Sequence, residues 1–288
     1  VLGGAGSVIE FLPQIAVLFL CLAVLEDSGY MARAAYIFDG VLRKAGLNGR
    51  AAYTLLMGFG CSASAVFIAR AIEQKGVRTK TVLATPFIPC SARMPVFLAI
   101  SGAFFPRHTF LIITGLYLGG AAASCLFALV LNKFLKVGAD EEDFFVELPP
   151  YRLPSAKRVF KTVVAEVKYF FIRVCTVLFL VNIAVWLLGS FDWTFSYVGL
   201  SGESILKGVS QFLLPLFRPI GLTKWQAVSA LFSGLVAKET VISVITTLGG
   251  ISEVLPSAVQ AIPFLVYVLL YVPCVATVAA INKELGKK

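Results

Sequence analysis

The sequence predicts an all-α protein, a polytopic bundle of membrane-spanning helices. Hydrophobic residues make up 58% of the 288 positions and charged residues 14%, with a mean hydropathy of +0.87, unlike a soluble domain. Apolar windows long enough to cross a hydrocarbon core of about 30 Å lie at residues 9–25, 108–132, 170–190 and 261–282. The alternating pattern of a transmembrane barrel is absent from the sequence, so we expect helices to supply the hydrogen bonds that backbone groups need within the bilayer.

The charge pattern indicates a lipid bilayer as the partner rather than nucleic acid. The formal net charge is +9, but the basic residues fall at the ends of apolar segments instead of along one face, as positive-inside anchoring requires. The six cysteines show no CxxC or disulfide-framework spacing, which favours reduced thiols. The chain opens at VLGGAGS and closes at KELGKK, and we expect it to be a portion of a longer protein.

A polar loop divides the sequence into three parts. We expect a first membrane half at residues 1–136, a loop with an interfacial helix at 137–168, and a second membrane half at 169–288. Between Lys133 and Arg173 the chain carries eight basic residues around an acidic cluster, and because Lys and Arg set topology, this loop is predicted to be cytoplasmic. The stretch PSAKRVFKTVVAEVKYFF is typical of an amphipathic helix at the membrane interface.

When the apolar segments are oriented across the membrane from this cytoplasmic loop, one inconsistency remains near the carboxyl end. If residues 170–190 cross outward and 224–248 return, then 258–282 cross outward again and place the basic tail on the wrong side. We therefore expect one apolar segment to be re-entrant, which is allowed where irregular backbone lines a cavity. The stretches at 45–67 and 220–242 share Gly-Leu, a polar turn, an apolar run and a glycine-punctuated break, and corresponding interrupted segments are typical of transporter binding sites.

Two breaks in apolar sequence carry cysteines. One is Gly58-Phe59-Gly60-Cys61, and the other is the proline-rich stretch at 86–95, which contains Cys90. Helix breaks at membrane depth are costly because the freed N–H and C=O groups find no water. Thiols beside unwound carbonyls suit a soft or borderline divalent metal, so we favour this interpretation over simple packing of buried cysteines.

Charged residues within apolar sequence form a second group of candidates. Glu26, Asp27 and Arg93 lie in such stretches, where ionisable groups face a cavity or a partner. Arg33 follows Asp27 closely in the sequence. For both Arg33 and Arg93 we favour a structural role in an ion pair with Glu26 or Asp27.

Lys238 and Glu239 are adjacent in SGLVAKETVIS, about 100° apart on a regular helix. Each is therefore expected to have a different partner, and Glu239 could be a cation ligand or a gate. Cys274 follows Pro273, and Gln14 follows Pro13; both are weaker candidates because a proline kink is common in membrane helices.

Six motifs occur in order along the chain: FLPQI, LEDSGYMARAA, GFGC, PFIPCSARMPV, AKET and YVPC. In this combination the chain resembles, over nearly its whole length, the membrane region of the ferrous iron transport protein B family. The resemblance implies a nucleoside-transporter-like organisation with two gate repeats containing broken or re-entrant helices. Gate 1 would lie at about 51–105 and gate 2 at about 220–248. One departure is Ser62-Ala63-Ser64, where the family commonly has a sequence like Asn-Val-Pro.

The resemblance also implies a function and a set of site residues. The chain would be a permease region, not an enzyme, for Fe2+ uptake across the bacterial cytoplasmic (inner) membrane. GTP and Mg2+ would act only through an amino-terminal GTP-binding domain, with small cytoplasmic accessory proteins and a homo-oligomer as further partners. The expected metal ligands are Cys61, Cys90, Glu239 and Cys274. The supporting gate residues are Gly58, Gly60, Pro89, Arg93, Pro95, Lys238, Glu26, Asp27 and Gln14.

Two other functions remain open at this point. An organic-solute carrier of the nucleoside-transporter type would need amide and aromatic side chains converging at the breaks, whereas these breaks carry thiols and few amides. A membrane module that only anchors or senses would act through its cytoplasmic loop. Stabilisation of the protein by a metal would distinguish the first hypothesis from these two.

Overall fold

Every regular element in the described residues is a helix, which confirms the all-α class. The computed structural model describes residues 13, 16, 17, 19–21, 23–25, 27–44, 46–134, 151–170, 172, 183, 187, 189, 205–218, 221–236, 238, 240–271 and 273–286. The helices are α1 (Tyr30–Lys44), α2 (Gly49–Gly60), α3 (Ser62–Ile68), α4 (Lys75–Ala84), α5 (Met94–Phe104), α6 (Thr109–Phe134), α7 (Ala156–Phe170), α8 (Ile205–Phe217), α9 (Trp225–Val236), α10 (Thr240–Thr247), α11 (Ile251–Val254), α12 (Ala258–Leu270) and α13 (Val275–Leu285).

Three helical segments among these residues are long and apolar enough to cross a membrane: Lys75–Phe104, Thr109–Phe134 and Ala258–Leu285. The helix α6 has 26 residues, about 39 Å at 1.5 Å per residue, and its apolar side chains are largely exposed, as lipid-facing side chains are. The predicted spans at 108–132 and 261–282 are therefore confirmed in length and composition. About half of the window at 9–25 and most of the window at 170–190 lie outside the described residues.

The chain divides into two compact units. The first consists mainly of Pro89–Gly120 and Leu178–Ala276, and the second of Leu2–Ile88, Ala121–Val177 and Thr277–Lys288. Each has an apolar core of its own within the described residues. Each of these packing units combines segments from the first and the second half of the sequence. The two predicted membrane halves describe something else, the order of segments along the chain, and stay a prediction.

The same order of elements occurs twice along the chain. Gly46 (φ +69°) and Gly221 (φ +91°) each end a helix in the left-handed conformation that favours glycine. In both places the N–H of the following residue, Leu47 or Leu222, donates to the carbonyl five residues earlier, at 3.0 and 3.3 Å. This is a Schellman motif, and both leucines are buried. The similarity between 45–67 and 220–242 therefore corresponds to a shared local structure.

Each Schellman motif is followed by a short helix, a break and a second short helix. In the first copy the helices are α2 and α3, and in the second they are α9 and α10. A long apolar segment follows in each copy, Lys75–Phe104 or Ala258–Leu285, and a Pro-Cys pair interrupts it. The broken helices expected from the sequence are thus present at both positions.

The second copy shows how a break can be stabilised. The helices α9 and α10 contain 12 and 8 residues, about 18 and 12 Å, so neither is long enough to cross the bilayer alone. The two helices pack together, and the hydroxyl groups of Ser233 and Thr240 are hydrogen-bonded at 2.8 Å across the break. Whether this pair is re-entrant stays a prediction.

The predicted amphipathic helix is present as α7, whereas its position at the membrane interface stays a prediction. The amino-terminal end of α7 contacts Asp27. The Asp27 carboxylate accepts hydrogen bonds from the backbone N–H of Ser155 and from Arg158, each at 2.8 Å. Asp27 is thus paired with Arg158, and the Arg33 guanidinium stacks on the Tyr151 ring, 3.6 Å from its centroid. The alternative partner, Glu26, lies outside the described residues, so its predicted ion pairs stay a prediction. A hydrogen-bond acceptor beside the N–H groups at the start of a helix is favourable. Asp27 and Ser155 are 128 residues apart, so the sequence does not reveal this contact.

This contact should depend on pH. The Ser155 amide lowers the pKa of Asp27, burial opposes this effect and Arg158 adds to it, so the contact is fully present above the ordinary pKa and is lost as the pH falls through the lowered value. Asp27→Ala should accelerate hydrogen exchange of the Ser155 amide at neutral pH. Glu73→Ala, which removes the exposed ion pair with Arg50, is the matched control, and equal exchange in both variants would contradict the assignment.

Candidate functional site

The first unit contains a buried polar site where the helix α12 ends. Residue 273 is a proline and has no N–H, so the carbonyl of Leu269 loses the donor that a continuing helix would supply. Arg93 replaces that donor, since its guanidinium donates to the Leu269 carbonyl at 3.0 Å. The Arg93 side chain is only 1% exposed. The observed acceptor is thus a backbone carbonyl, and the predicted ion pair of Arg93 stays a prediction.

Lys238 lies at the same site. Its ammonium is 3.1 Å from the ring centroid of Tyr271, and the side chain is 2% exposed. A cation over an aromatic face is attracted by the ring quadrupole, most strongly when both groups are desolvated. The break between α9 and α10 places Lys238 outside regular helix.

Gly234 allows Tyr271 to reach this position. A methyl group on Gly234 would overlap both the Tyr271 hydroxyl oxygen and a methyl group of Val241. Gly234 lies in α9 and Val241 in α10, so glycine permits the close approach of these two helices and of the tyrosine. This glycine in SGLVAKET is the sequence signal that could have indicated the contact.

Two of the predicted cysteines are at this site. Cys90 and Cys274 both lie close enough to Lys238 and Tyr271 to act on them electrostatically. Each follows a proline and directly precedes a helical turn, and both side chains are half-buried and free of disulfides. The N–H groups at the start of a helix favour negative charge, and the thiolate is the metal-binding form of cysteine.

Tyrosines line the remainder of the site. Tyr267 and Tyr271 are stacked with their ring centroids 5.3 Å apart, and Tyr117 is close enough to interact electrostatically with Cys90 and Arg93. The Tyr271 hydroxyl is buried and makes no hydrogen bond to any residue that the structure describes. These tyrosines were missed from the sequence, although Tyr271 belongs to the YVPC motif.

Cys61 belongs to the second unit and forms the break between α2 and α3. Its backbone is extended (φ −146°, ψ 116°), and its N–H donates to the Met57 carbonyl at 3.0 Å. The helix continues through Gly58 and ends at Gly60, so the break lies at the cysteine rather than at the glycines. A Cβ atom on Gly58 would be 3.4 Å from Ile88, which indicates that this glycine serves close packing.

The remaining candidates have mixed outcomes. Pro89 lies in the break before Cys90, and Pro95 is in the first turn of α5, where a missing N–H carries no cost. Gln14, Glu26 and Glu239 lie outside the described residues. Within the described part of the chain, no three His, Cys, Asp or Glu side chains form a group that could hold a metal ion. The four-ligand set that includes Glu239 therefore stays a prediction.

Comparisons with protein families match nearly the whole chain. A gate family described as nucleoside recognition matches residues 8–104 and 171–288. A second family, described as ferrous iron transport protein B C terminus, matches residues 113–165. The two matches together cover both interrupted segments and the loop between them.

Curated relatives agree with these matches. The Fe(2+) transporter FeoB of Staphylococcus aureus (strain COL) is 37% identical over 99% of the chain, and that of Methanocaldococcus jannaschii is 34% identical over 100%. A fusion protein of Porphyromonas gingivalis, named Fe(2+) transport protein A/Fe(2+) transporter FeoB, is 32% identical over 99%. The chain spans 44%, 45% and 40% of these relatives, respectively. No solved structure matches the chain.

Proposed function

Because the chain belongs to the ferrous iron transport protein B family, we propose that it forms the permease region that carries Fe2+ across a cytoplasmic membrane. The observation that carries the proposal is the buried site at the end of α12, where two cysteines without disulfides, Cys90 and Cys274, each lie in a break of an apolar helical segment. The relatives are named Fe(2+) transporters, and this chain corresponds to less than half of their length.

The chemistry of the site suits a borderline divalent cation in transit. Thiolates from Cys90 and Cys274 would be the soft ligands, and the ends of broken helices would add backbone carbonyl oxygens. Fe2+ binds more weakly than Cu2+ or Zn2+ at most sites, and two thiolates without a full ligand set would let the ion leave again. Cys61 in gate 1 and Glu239 in gate 2 are proposed as further metal ligands.

Partners and coupling follow from the family. GTP and Mg2+ would act through an amino-terminal GTP-binding domain, which drives or regulates the permease region. The Porphyromonas gingivalis relative joins an Fe(2+) transport protein A to its transporter, which supports a small cytoplasmic accessory partner of that kind. A homo-oligomer is a further proposal. The chain would be multi-pass in the bacterial inner membrane, with the loop at 137–168 cytoplasmic.

Removal of the thiols tests the proposal. In the complete protein, Cys90→Ser and Cys274→Ser should each lower Fe2+ uptake into proteoliposomes about tenfold or more, since even residues that only orient metal ligands contribute ~10–100-fold to metal affinity. Cys125→Ser is the matched control, because Cys125 packs at the apolar core of the second unit. Parental uptake in a Cys90→Ser/Cys274→Ser double variant that still folds would overturn the thiolate path.

The gate family's description favours one alternative, a nucleoside-like carrier. The tyrosines at the site could stack on a base, but no amide side chain is among the described residues that we place there. Uptake of a labelled nucleoside that is unaffected by both cysteine changes would favour this alternative. Fe2+ uptake that depends on both cysteines would exclude it.

A further inference from the structure

The ammonium of Lys238 is surrounded by groups that bind cations. It lies over the Tyr271 ring at 3.1 Å from the centroid, and the face of an aromatic ring attracts any cation. The thiols of Cys90 and Cys274 lie close enough to interact with its charge. A transported metal ion would seek the same surroundings, so Lys238 and the metal would compete for them.

Arg93 adds a second positive charge to this site. It also lies close enough to act on Lys238 electrostatically, and both side chains are almost completely buried. Charges repel more strongly where water is excluded, so a divalent cation cannot easily enter while both cationic groups are present. Passage of the ion therefore requires one of them to move.

The two cations differ in how firmly they are held. The Arg93 guanidinium is planar and donates to the Leu269 carbonyl at the end of a helix, where it completes backbone hydrogen bonding. Lys238 carries a point charge on a flexible four-carbon chain and lies in the break between two helices. Movement of Arg93 would break its hydrogen bond at the end of α12, so of the two we assign the movement to the more flexible side chain, Lys238.

We propose that Lys238 is a tethered competitor of the transported cation, which occupies the thiol–tyrosine site when no metal is bound and is displaced when a metal enters. The proposal rests on the proposed function of that site. It assigns Lys238 a role in closing the path and lowering metal affinity, in addition to its packing on Tyr271.

The test measures metal affinity and flux separately in the complete protein. Co2+ is the probe for binding, because thiolate ligation gives it a characteristic absorption, and Fe2+ uptake into proteoliposomes measures flux. Lys238→Met should raise the apparent Co2+ affinity about tenfold or more, the order expected when a desolvated cation–π contact is lost. Lys238→Arg keeps the charge and should leave the affinity low.

Lys207→Met is the matched control. Lys207 also lies over an aromatic ring in the first unit, 5.5 Å from the centroid of Trp225, but it is not part of the site. This variant should bind Co2+ with the parental affinity. If Lys238→Met folds poorly, Lys238→Gln removes the charge with a polar head group that tolerates the buried position, and the same increase is expected.

The outcomes separate the two proposals. The competitor role is supported if the neutral variants Lys238→Met and Lys238→Gln bind Co2+ more tightly and if adding Cys90→Ser or Cys274→Ser abolishes that binding. Unchanged or weaker Co2+ binding in a folded neutral variant, with binding still dependent on both cysteines, overturns the competitor role and leaves the iron path intact. Parental protein that shows no cysteine-dependent metal binding or uptake overturns the proposed function itself.

Discussion

Replacing Arg93 with methionine should destabilise the protein substantially, because the buried Leu269 carbonyl would lose its donor. An unsatisfied buried carbonyl costs on the order of 1 to 3 kcal/mol, and proline at position 273 prevents the backbone from replacing the donor. The measurement is the thermal unfolding midpoint of the purified protein. We expect a decrease of several degrees, since about 1 kcal/mol corresponds to roughly 2–4 °C in a domain of this size.

A double variant tests the cause. Pro273→Ala restores an N–H that can reach the Leu269 carbonyl if α12 extends through the break. Arg93→Met combined with Pro273→Ala should therefore recover part of the lost stability, while Fe2+ uptake stays low because the break has closed. If the changes in stability caused by Arg93→Met and Pro273→Ala simply add in the double variant, the unsatisfied Leu269 carbonyl is not the reason why Arg93→Met is destabilised.

Replacing Gly234 with alanine should disrupt the packing of α9, α10 and Tyr271. The added methyl group would overlap Val241 and the Tyr271 hydroxyl, and overpacking of this kind costs about 1 to 3 kcal/mol. The displaced tyrosine would also remove the ring that supports the Lys238 ammonium. We expect a lower unfolding midpoint and altered Co2+ affinity in the same variant.

Gly102→Ala is the control for this change, because a Cβ atom on Gly102 in α5 meets no atom within 4 Å. Alanine there should be neutral or stabilising by about 0.5–1 kcal/mol. Combining Gly234→Ala with Tyr271→Phe and Val241→Ala removes both overlapping groups and should restore much of the stability. Equal unfolding midpoints for Gly234→Ala and Gly102→Ala would show that the predicted overlap is relieved at no cost.

The breaks in the helices were predictable from the sequence because their causes are local. Pro89 and Pro273 remove backbone donors wherever they occur, and each Pro-Cys pair coincides with a break. The Gly58–Cys61 break was predicted at nearly the right position. The structure moves it from the glycines to Cys61, because Gly58 fits within α2 and provides room for Ile88.

The contacts that complete the site could not be predicted in the same way. The donor for the Leu269 carbonyl is Arg93, 176 residues away, so Pro273 reveals the orphan carbonyl but not its partner. Tyr271 is one apolar-flanked aromatic among many in the sequence, and only packing against Gly234 places it under Lys238. The pairing of Asp27 with Arg158 likewise depends on tertiary structure.

The repeated order of elements makes the two copies comparable position by position, and they have diverged. Aligning the two Schellman glycines sets Lys238 against Ala63, and aligning the two Pro-Cys pairs sets Tyr271 against Phe87 and Arg93 against Thr277. All three polar members belong to the first unit, and all three counterparts belong to the second.

The difference between the two copies is chemical rather than a difference in the order of elements. The first unit carries the buried charges and the phenol, whereas the second has a methyl group, a phenyl ring and a neutral hydroxyl at the same positions. Two copies of one local structure that differ in chemistry at matching positions are not interchangeable. A role assigned to a residue in one copy therefore cannot be transferred to the other by position alone.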